Sequence, residues 1–111
     1  MLEEIIGYFP EKLENKLSEE IKDKLDSLEE IRLRVDRPIV LKFRDTDKVI
    51  KYNVTTEDIL STLQILCENS IYSYQNQIAE GFITIKGGHR IGICGEAVIS
   101  NGRIINVKNI N

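Results

Sequence analysis

Between Ile31 and Arg44 the sequence IRLRVDRPIVLKFR alternates apolar and polar residues with a period of two, which demands extended strands with one buried face. Ile31, Leu33 and Val35 fall on one side, and Arg32 and Arg34 on the other. Asp36-Arg37-Pro38 interrupts the run, because proline has no N–H to give to a ladder and biases the residue before it away from helix. The alternation then resumes with Ile39, Leu41 and Phe43 opposite Val40, Lys42 and Arg44. Asp45-Thr46-Asp47 reads as a turn, and Val49 to Tyr52 as the returning hairpin strand.

Two stretches keep a helical period instead. Over 10–26, Leu13, Leu17, Ile21 and Leu25 recur every fourth residue, while Glu and Lys fill the other faces. Pro10 suits the first turn of that helix, and Glu11 and Glu14 complement the positive end of its dipole. Thr55 and Thr56, followed by Glu57 and Asp58, read as an N-cap with acids in the first turn. Ile59, Leu60, Leu63, Leu66 and Cys67 continue it as an apolar stripe to about Glu68. Asn69 or Ser70 opens a further short helix with Ile71, Tyr74 and Ile78 inward, and Gly81 suits the left-handed residue that ends it.

From Phe82 the period of two returns. The stretch GFITIKGGHRIGICGEAVISNGR (81–103) holds six of the seven glycines and the single histidine. Ile83 and Ile85 alternate with Thr84 and Lys86, Gly87-Gly88 suits a two-residue primed turn, and Ile91 and Ile93 form the return strand. Asn101-Gly102 is the strongest short hairpin signal, and Arg103 to Ile110 reads as a last strand. Gly87, Gly88, Gly92, Gly95 and Gly102 are accordingly expected as structural turn residues. The fold class is α+β: one compact domain with an antiparallel or mixed sheet and helices on one side. At 111 residues such a chain buries a real core without staples.

Charge follows the same segments. Residues 1–31 hold ten acids against four lysines, and residues 55–81 hold four acids with no lysine or arginine. Residues 32–54 carry seven basic groups against three acids, and residues 82–111 carry four against one. The acids therefore belong to helices and the bases to strands, within a net charge of −3. No apolar run approaches ~20 residues, so direct membrane insertion is not expected. The N-terminal MLEEIIGYFPEK lacks the basic start of a secretory signal. Cys67 and Cys94 are far apart, without a CxxC, and read as buried free thiols of a cytosolic protein. With one histidine, they do not readily supply four ligands, so no metal site is expected.

The glycine-rich stretch is not a phosphate loop. The GxxxxGK[ST] pattern and the GxGxxG fingerprint are both absent, and strand-like residues follow Gly88 where a helix would have to begin. Gly92-Ile93-Cys94-Gly95 spells the GxxG of KH domains, but that loop joins two helices and here both flanks read as strand. His89 beside a Gly-Gly turn has no nucleophile placed with it by sequence, and Cys94 alternates within a strand. The basic set is more informative: Arg32 and Arg34 share a face, Lys42 and Arg44 stand beside them, and Arg90 and Arg103 come from later strands. Guanidinium groups on a rigid sheet grip phosphate or carboxylate in bidentate fashion. Nucleic acid is not the expected partner, since the net charge is negative and aromatic residues do not interleave with the basic ones.

The segments EEIRLRVDRPIVL (29–41) and GFITIKGGHRIGICGEAVISNGR (81–103), with TTEDILSTLQILCENSIYSYQNQI between them, resemble the N-terminal region of the stage III sporulation protein AA family. The resemblance covers nearly the whole chain, and GGHR-x-G-x-x-G is its most specific part. That family, from endospore-forming bacteria, is similar to the ATPases of type II and type IV secretion and pilus retraction. Those combine an N-terminal α+β domain with a RecA-like motor in hexameric rings. The resemblance implies that residues 1–111 form the N-terminal domain, that the P-loop motor is absent, and that the chain alone is not an enzyme. ATP and Mg are implied for the full-length parent and no cofactor for this chain. Implied partners are its own motor domain, neighbouring subunits of the ring, and membrane-embedded sporulation channel proteins. The implied location is cytoplasmic, at the membrane face of the mother cell, powering the channel to the forespore. In the related motors N-terminal arginines reach the bound nucleotide, which singles out Arg90 of GGHRIG, then Arg32 and Arg34 of IRLR. Asp36 stands where the family pattern leads one to expect a small turn residue such as glycine. The rival readings are a stand-alone RNA-binding or protein-interaction module using Gly92 to Gly95, and a small enzyme using His89 and Cys94.

Overall fold

The alternating stretch forms the centre of a five-stranded sheet in a computed structural model of the chain, which describes residues 2–67, 82–84, 88–93, 96–100 and 103–108. Strand β1 (Leu28–Leu33) pairs antiparallel with β2 (Ile39–Phe43), and β2 with β3 (Asp47–Ile50). The Phe43 N–H closes the second turn on the Thr46 carbonyl at 2.8 Å. After helix α3 (Thr56–Cys67) the chain adds β4 (Phe82–Thr84) and β5 (Arg90–Ile93). Strand β5 runs parallel to β1 and antiparallel to β4, giving the mixed order β3-β2-β1-β5-β4. A separate antiparallel pair, β6 (Glu96–Ser100) and β7 (Arg103–Lys108), closes with Ser100 opposite Arg103, and β7 runs beside α3. The expected α+β class with a mixed sheet is what the chain adopts.

Helix α2 (Glu11–Ile21) buries Leu13, Leu17 and Ile21, and α3 buries Ile59, Leu63 and Leu66. They meet Ile31, Leu33, Ile39, Leu41, Phe43 and Ile91 of the sheet in one apolar cluster. A bulge in β1 sets Leu28 opposite Phe43 but Glu30 opposite Lys42. The extra residue keeps Leu28 on the core side together with Ile31, and both are buried.

The boundaries differ from those of the periodicity. The helix expected over 10–26 ends at Ile21: Lys22 and Lys24 donate back to Ser18 and Ile21, and a 3-10 turn, Leu25–Ser27, feeds β1 three residues early. Leu25 keeps the apolar phase while packing only partly against the core, which is why the helical pattern overruns. Strand β1 stops at Leu33 because Arg37 N–H turns back to the Arg34 carbonyl and Asp36 N–H reaches Val54 O at 2.7 Å. Asp36 has φ 60°, the left-handed region where glycine is at ease, as the family pattern led one to expect. Helix α1 (Leu2–Ile6) has no counterpart in the sequence reading; it is too short to show a period, yet Ile5 and the following Phe9 enter the core.

Among the glycines, Gly88 turns as expected, with φ +87°. The described pairing of β4 with β5 runs from Phe82 opposite Gly92 to Thr84 opposite Arg90. Gly92 is a correction: it lies inside β5, facing Arg32 on one side and Phe82 on the other, so it turns nothing. Gly87, Gly95 and Gly102, Cys94, the helix expected from Asn69 and Gly81 lie outside the described residues.

Candidate functional site

In the parallel β1–β5 ladder Glu30 stands opposite Arg90, and Arg32 opposite Gly92. Ile31 and Ile91 between them are fully buried, so the alternation sends Glu30, Arg32 and Arg90 to the face away from the helices. There Arg32 Nε donates to Glu30 Oε2 at 2.9 Å, and Arg90 Nη2 lies 3.9 Å from Glu30 Oε1. The side-chain exposures are 9% for Glu30, 39% for Arg32 and 51% for Arg90. A nearly buried carboxylate thus sits between two half-exposed guanidiniums, and this trio carries one net positive charge.

Glycine makes room for the carboxylate. A Cβ on Gly92 would lie 3.2 Å from Glu30 Cδ and 3.3 Å from Oε2, tighter than ordinary van der Waals contact. A glycine inside a strand commonly marks such a close approach. One residue before Arg90, the buried His89 ring donates from Nδ1 to the Leu28 carbonyl at 2.7 Å. That bond ties the end of the β4–β5 connection to the β1 bulge and takes His89 out of the ladder. His89 is therefore a structural anchor beside Arg90.

The other basic residues go elsewhere. Arg34 follows the end of β1, half-buried, with its carbonyl in the turn to Arg37, and it takes no part in the Glu30 contacts. Lys42 lies 3.5 Å from Asp47 of β3. Arg44 donates to the Asp26 carbonyl at 3.3 Å, and its own N–H bonds Ser27 O. Arg103 belongs to β7, in the separate hairpin. Of the three arginines named from the sequence, the fold brings Arg32 and Arg90 together and leaves Arg34 aside.

A second polar cluster joins α2 to α3. Thr55 caps α3, its hydroxyl accepting from Asp58 N–H while Thr55 N–H returns to Asp58 Oδ2, both at 3.0 Å. Asp58 is fully buried and also accepts from Tyr52 Oη at 2.6 Å and pairs with Lys12 Nζ at 2.8 Å. Lys12 and Lys16 stand 5.9 and 5.6 Å from the Tyr52 ring centroid. Burial pushes the Asp58 carboxyl up, but the bonds from Lys12, Tyr52 and Thr55 outweigh it and hold it below the usual range. The bond to Asp58 raises Lys12 above the ordinary lysine range, and burial, then Asp58, raises the Tyr52 phenol. This cluster locks α2 onto the start of α3.

Sequence reasoning missed Glu30 and the role of Asp58. Glu30 shares the strand parity of Arg32, which is the signal that could have found it; Asp58 looked like one more acid in a first helical turn. Among the described residues no group of three or more His, Cys, Asp or Glu gathers to hold a metal ion, and no helix is long and apolar enough to cross a membrane.

The family model described as Sporulation stage III, protein AA matches residues 3–111. Stage III sporulation protein AA of Bacillus subtilis (strain 168) is 33% identical over 109 residues, covering 98% of this chain. The chain spans 36% of the length of that relative. No solved structure matches it. With its strands, its GGHR segment and its arginine pair all inside the matched region, the chain belongs to the sporulation stage III protein AA family.

Proposed function

We propose that this chain is the N-terminal domain of a sporulation ATPase of the secretion type, and that Arg32 and Arg90 help complete a nucleotide site whose phosphate loop lies in the motor domain. Membership of the family supports the role in sporulation. The observation that carries the nucleotide reading is the Arg32–Glu30–Arg90 trio on the outer face of the sheet. Guanidinium groups from two neighbouring strands stand on one face beside a single carboxylate, and planar guanidiniums are the chemistry that grips phosphate oxygens.

These residues suit an anion supplied from outside the chain, since the sequence holds no GxxxxGK[ST] of its own. When bound in the motor, ATP would supply the phosphoanhydride bond and Mg²⁺ would offset its charge. Arg32 and Arg90 would add fixed positive charge beside the phosphates, a contact worth roughly 1.5–3 kcal/mol for each charge-assisted bond. The sheet face would then also be a contact between subunits of a ring. In this reading the ring works in the mother cell, at the membrane face of a channel to the forespore, and channel proteins are its partners.

The test is ATP turnover and ring assembly by the complete protein carrying Arg90→Ala or Arg32→Ala. A fall of roughly tenfold or more in turnover, or loss of assembly, supports the reading. Unchanged turnover with unchanged assembly contradicts it.

A further inference from the structure

We propose that the end of the sheet at the β1–β2 turn is an interaction surface for the acidic outer side of α2 in a second copy of this chain, so that copies join head to tail. The contact rests on the reading of this domain as a ring subunit, and it involves neither Arg90 nor a nucleotide. Arg34, half-buried, and Arg37, exposed, belong to that turn, and Lys51 is exposed where β3 ends beside it. Ile39 pairs with Ile50, Asp36 N–H reaches Val54 O at 2.7 Å, and Val54 N–H reaches Arg37 O at 3.0 Å. These bonds hold the turn against residues 50–54, so the three bases share one fixed rim. None of them has an ion pair or side-chain hydrogen bond among the described residues. The chain holds 18 acids against 15 bases, so place rather than a shortage of acids isolates them. Even with Asp36 in the turn, three bases against one acid leave the rim a surplus of two positive charges.

The complementary surface lies elsewhere on the same molecule. Helix α2 turns Leu13, Leu17 and Ile21 to the core, which leaves Glu11 and Glu19 exposed and Glu14 half-buried on its other sides. Both lysines of the helix are drawn toward Tyr52: Lys12 pairs with Asp58 at 2.8 Å, and Lys16 Nζ stands 5.6 Å from the Tyr52 ring centroid. Glu11, Glu14 and Glu19 have no partner among the described residues. Rim against rim would oppose like charges, whereas rim against α2 matches opposite ones, and such matching selects partner and orientation. Two different patches on one chain make a heterologous contact, which closes as a ring or runs on as a filament. Exposed ion pairs are individually weak, so this contact alone is weak and sensitive to salt.

The test is a dilution series of this chain followed by sedimentation and by its amide spectrum. The expected result is self-association at about 0.01 M salt, with a dissociation constant on the order of 1 mM, lost at about 1 M salt. The signals of Arg34, Arg37 and Lys51 are expected to move together with those of Glu11 and Glu19. Arg34→Gln/Arg37→Gln and Glu11→Gln/Glu19→Gln are each expected to weaken association by about fivefold. Net charge alone makes the opposite forecast for the second variant, since removing two acids from a chain of net charge −3 reduces its self-repulsion. Lys24→Gln/Arg44→Gln removes two bases near Phe43, at the other end of the sheet, and is expected to leave association unaltered. Should a variant not fold, the shifts of the unsubstituted chain decide. Tighter association by Glu11→Gln/Glu19→Gln, association that survives about 1 M salt, or shifts confined to other surfaces overturns the contact. A complete protein that assembles while this chain stays monomeric at low salt overturns the contact and leaves the ring reading standing. A complete protein that does not assemble overturns both.

Discussion

Gly92 and Glu30 meet across the β1–β5 ladder so closely that a Cβ on Gly92 would stand 3.2 Å from the Glu30 Cδ. The glycine is held on both sides, paired with Arg32 and with Phe82, so its backbone cannot simply withdraw. Gly92→Val is therefore expected to lower stability by about 1–3 kcal/mol through overpacking, and Gly92→Ala by less. Urea unfolding of the variants checks this. An unchanged midpoint for valine would mean that the carboxylate moves aside at no cost.

Asp58 links α3 to Lys12 of α2 and to Tyr52 while fully buried. Replacing it by asparagine keeps the shape but removes the charge that these donors meet, a loss of about 2 kcal/mol at neutral pH. The folded carboxyl titrates below its ordinary range, so its contribution is present above about pH 4 and disappears as pH falls through the depressed folded value. For Lys12 the sign reverses: protonation is held above the ordinary range, and that contribution is lost only as strongly alkaline pH passes the raised folded value. The stability gap between the unsubstituted chain and Asp58→Asn should accordingly close in acid. A gap that persists unchanged to low pH would contradict the ionised state of Asp58.

Asp36 holds φ 60° while its N–H bonds Val54 O, so glycine would keep the bond and remove the steric penalty. Asp36→Gly is expected to raise stability by about 0.5 kcal/mol, the relief of strain exceeding the added freedom of the unfolded chain. Asp36→Val should lower it, since a β-branched residue is poorly accommodated there. Thermal melting of the two variants measures both signs; a glycine variant less stable than the parent would contradict the strain.

The sheet could be read from the sequence because one of its faces is buried, and a period of two survives wherever that holds. Ile31, Leu33, Ile39 and Leu41 all appear in the core at the phase their spacing demands. The cap of α3 was equally legible, since Thr55 and Asp58 satisfy each other within one turn. What escaped depends on contacts distant in sequence. The parallel pairing of β1 with β5 brings Glu30 to Arg90 across sixty positions, and no local pattern encodes that register. The same pairing explains Gly92, whose small size answers to a carboxylate on another strand rather than to a turn. For the site, the residue types on the sheet were legible, while the choice of Arg32 over Arg34 required knowing where β1 ends.

The most direct measurement is a structure of the complete protein with Mg²⁺ and a non-hydrolysable ATP analogue bound. The expected result is a guanidinium nitrogen of Arg90 or Arg32, from this domain or that of a neighbouring subunit, about 2.7–2.9 Å from a phosphate oxygen, with Glu30 still in contact with the pair. Both arginines turned away from the nucleotide in every subunit would contradict a phosphate-binding role for this face of the sheet.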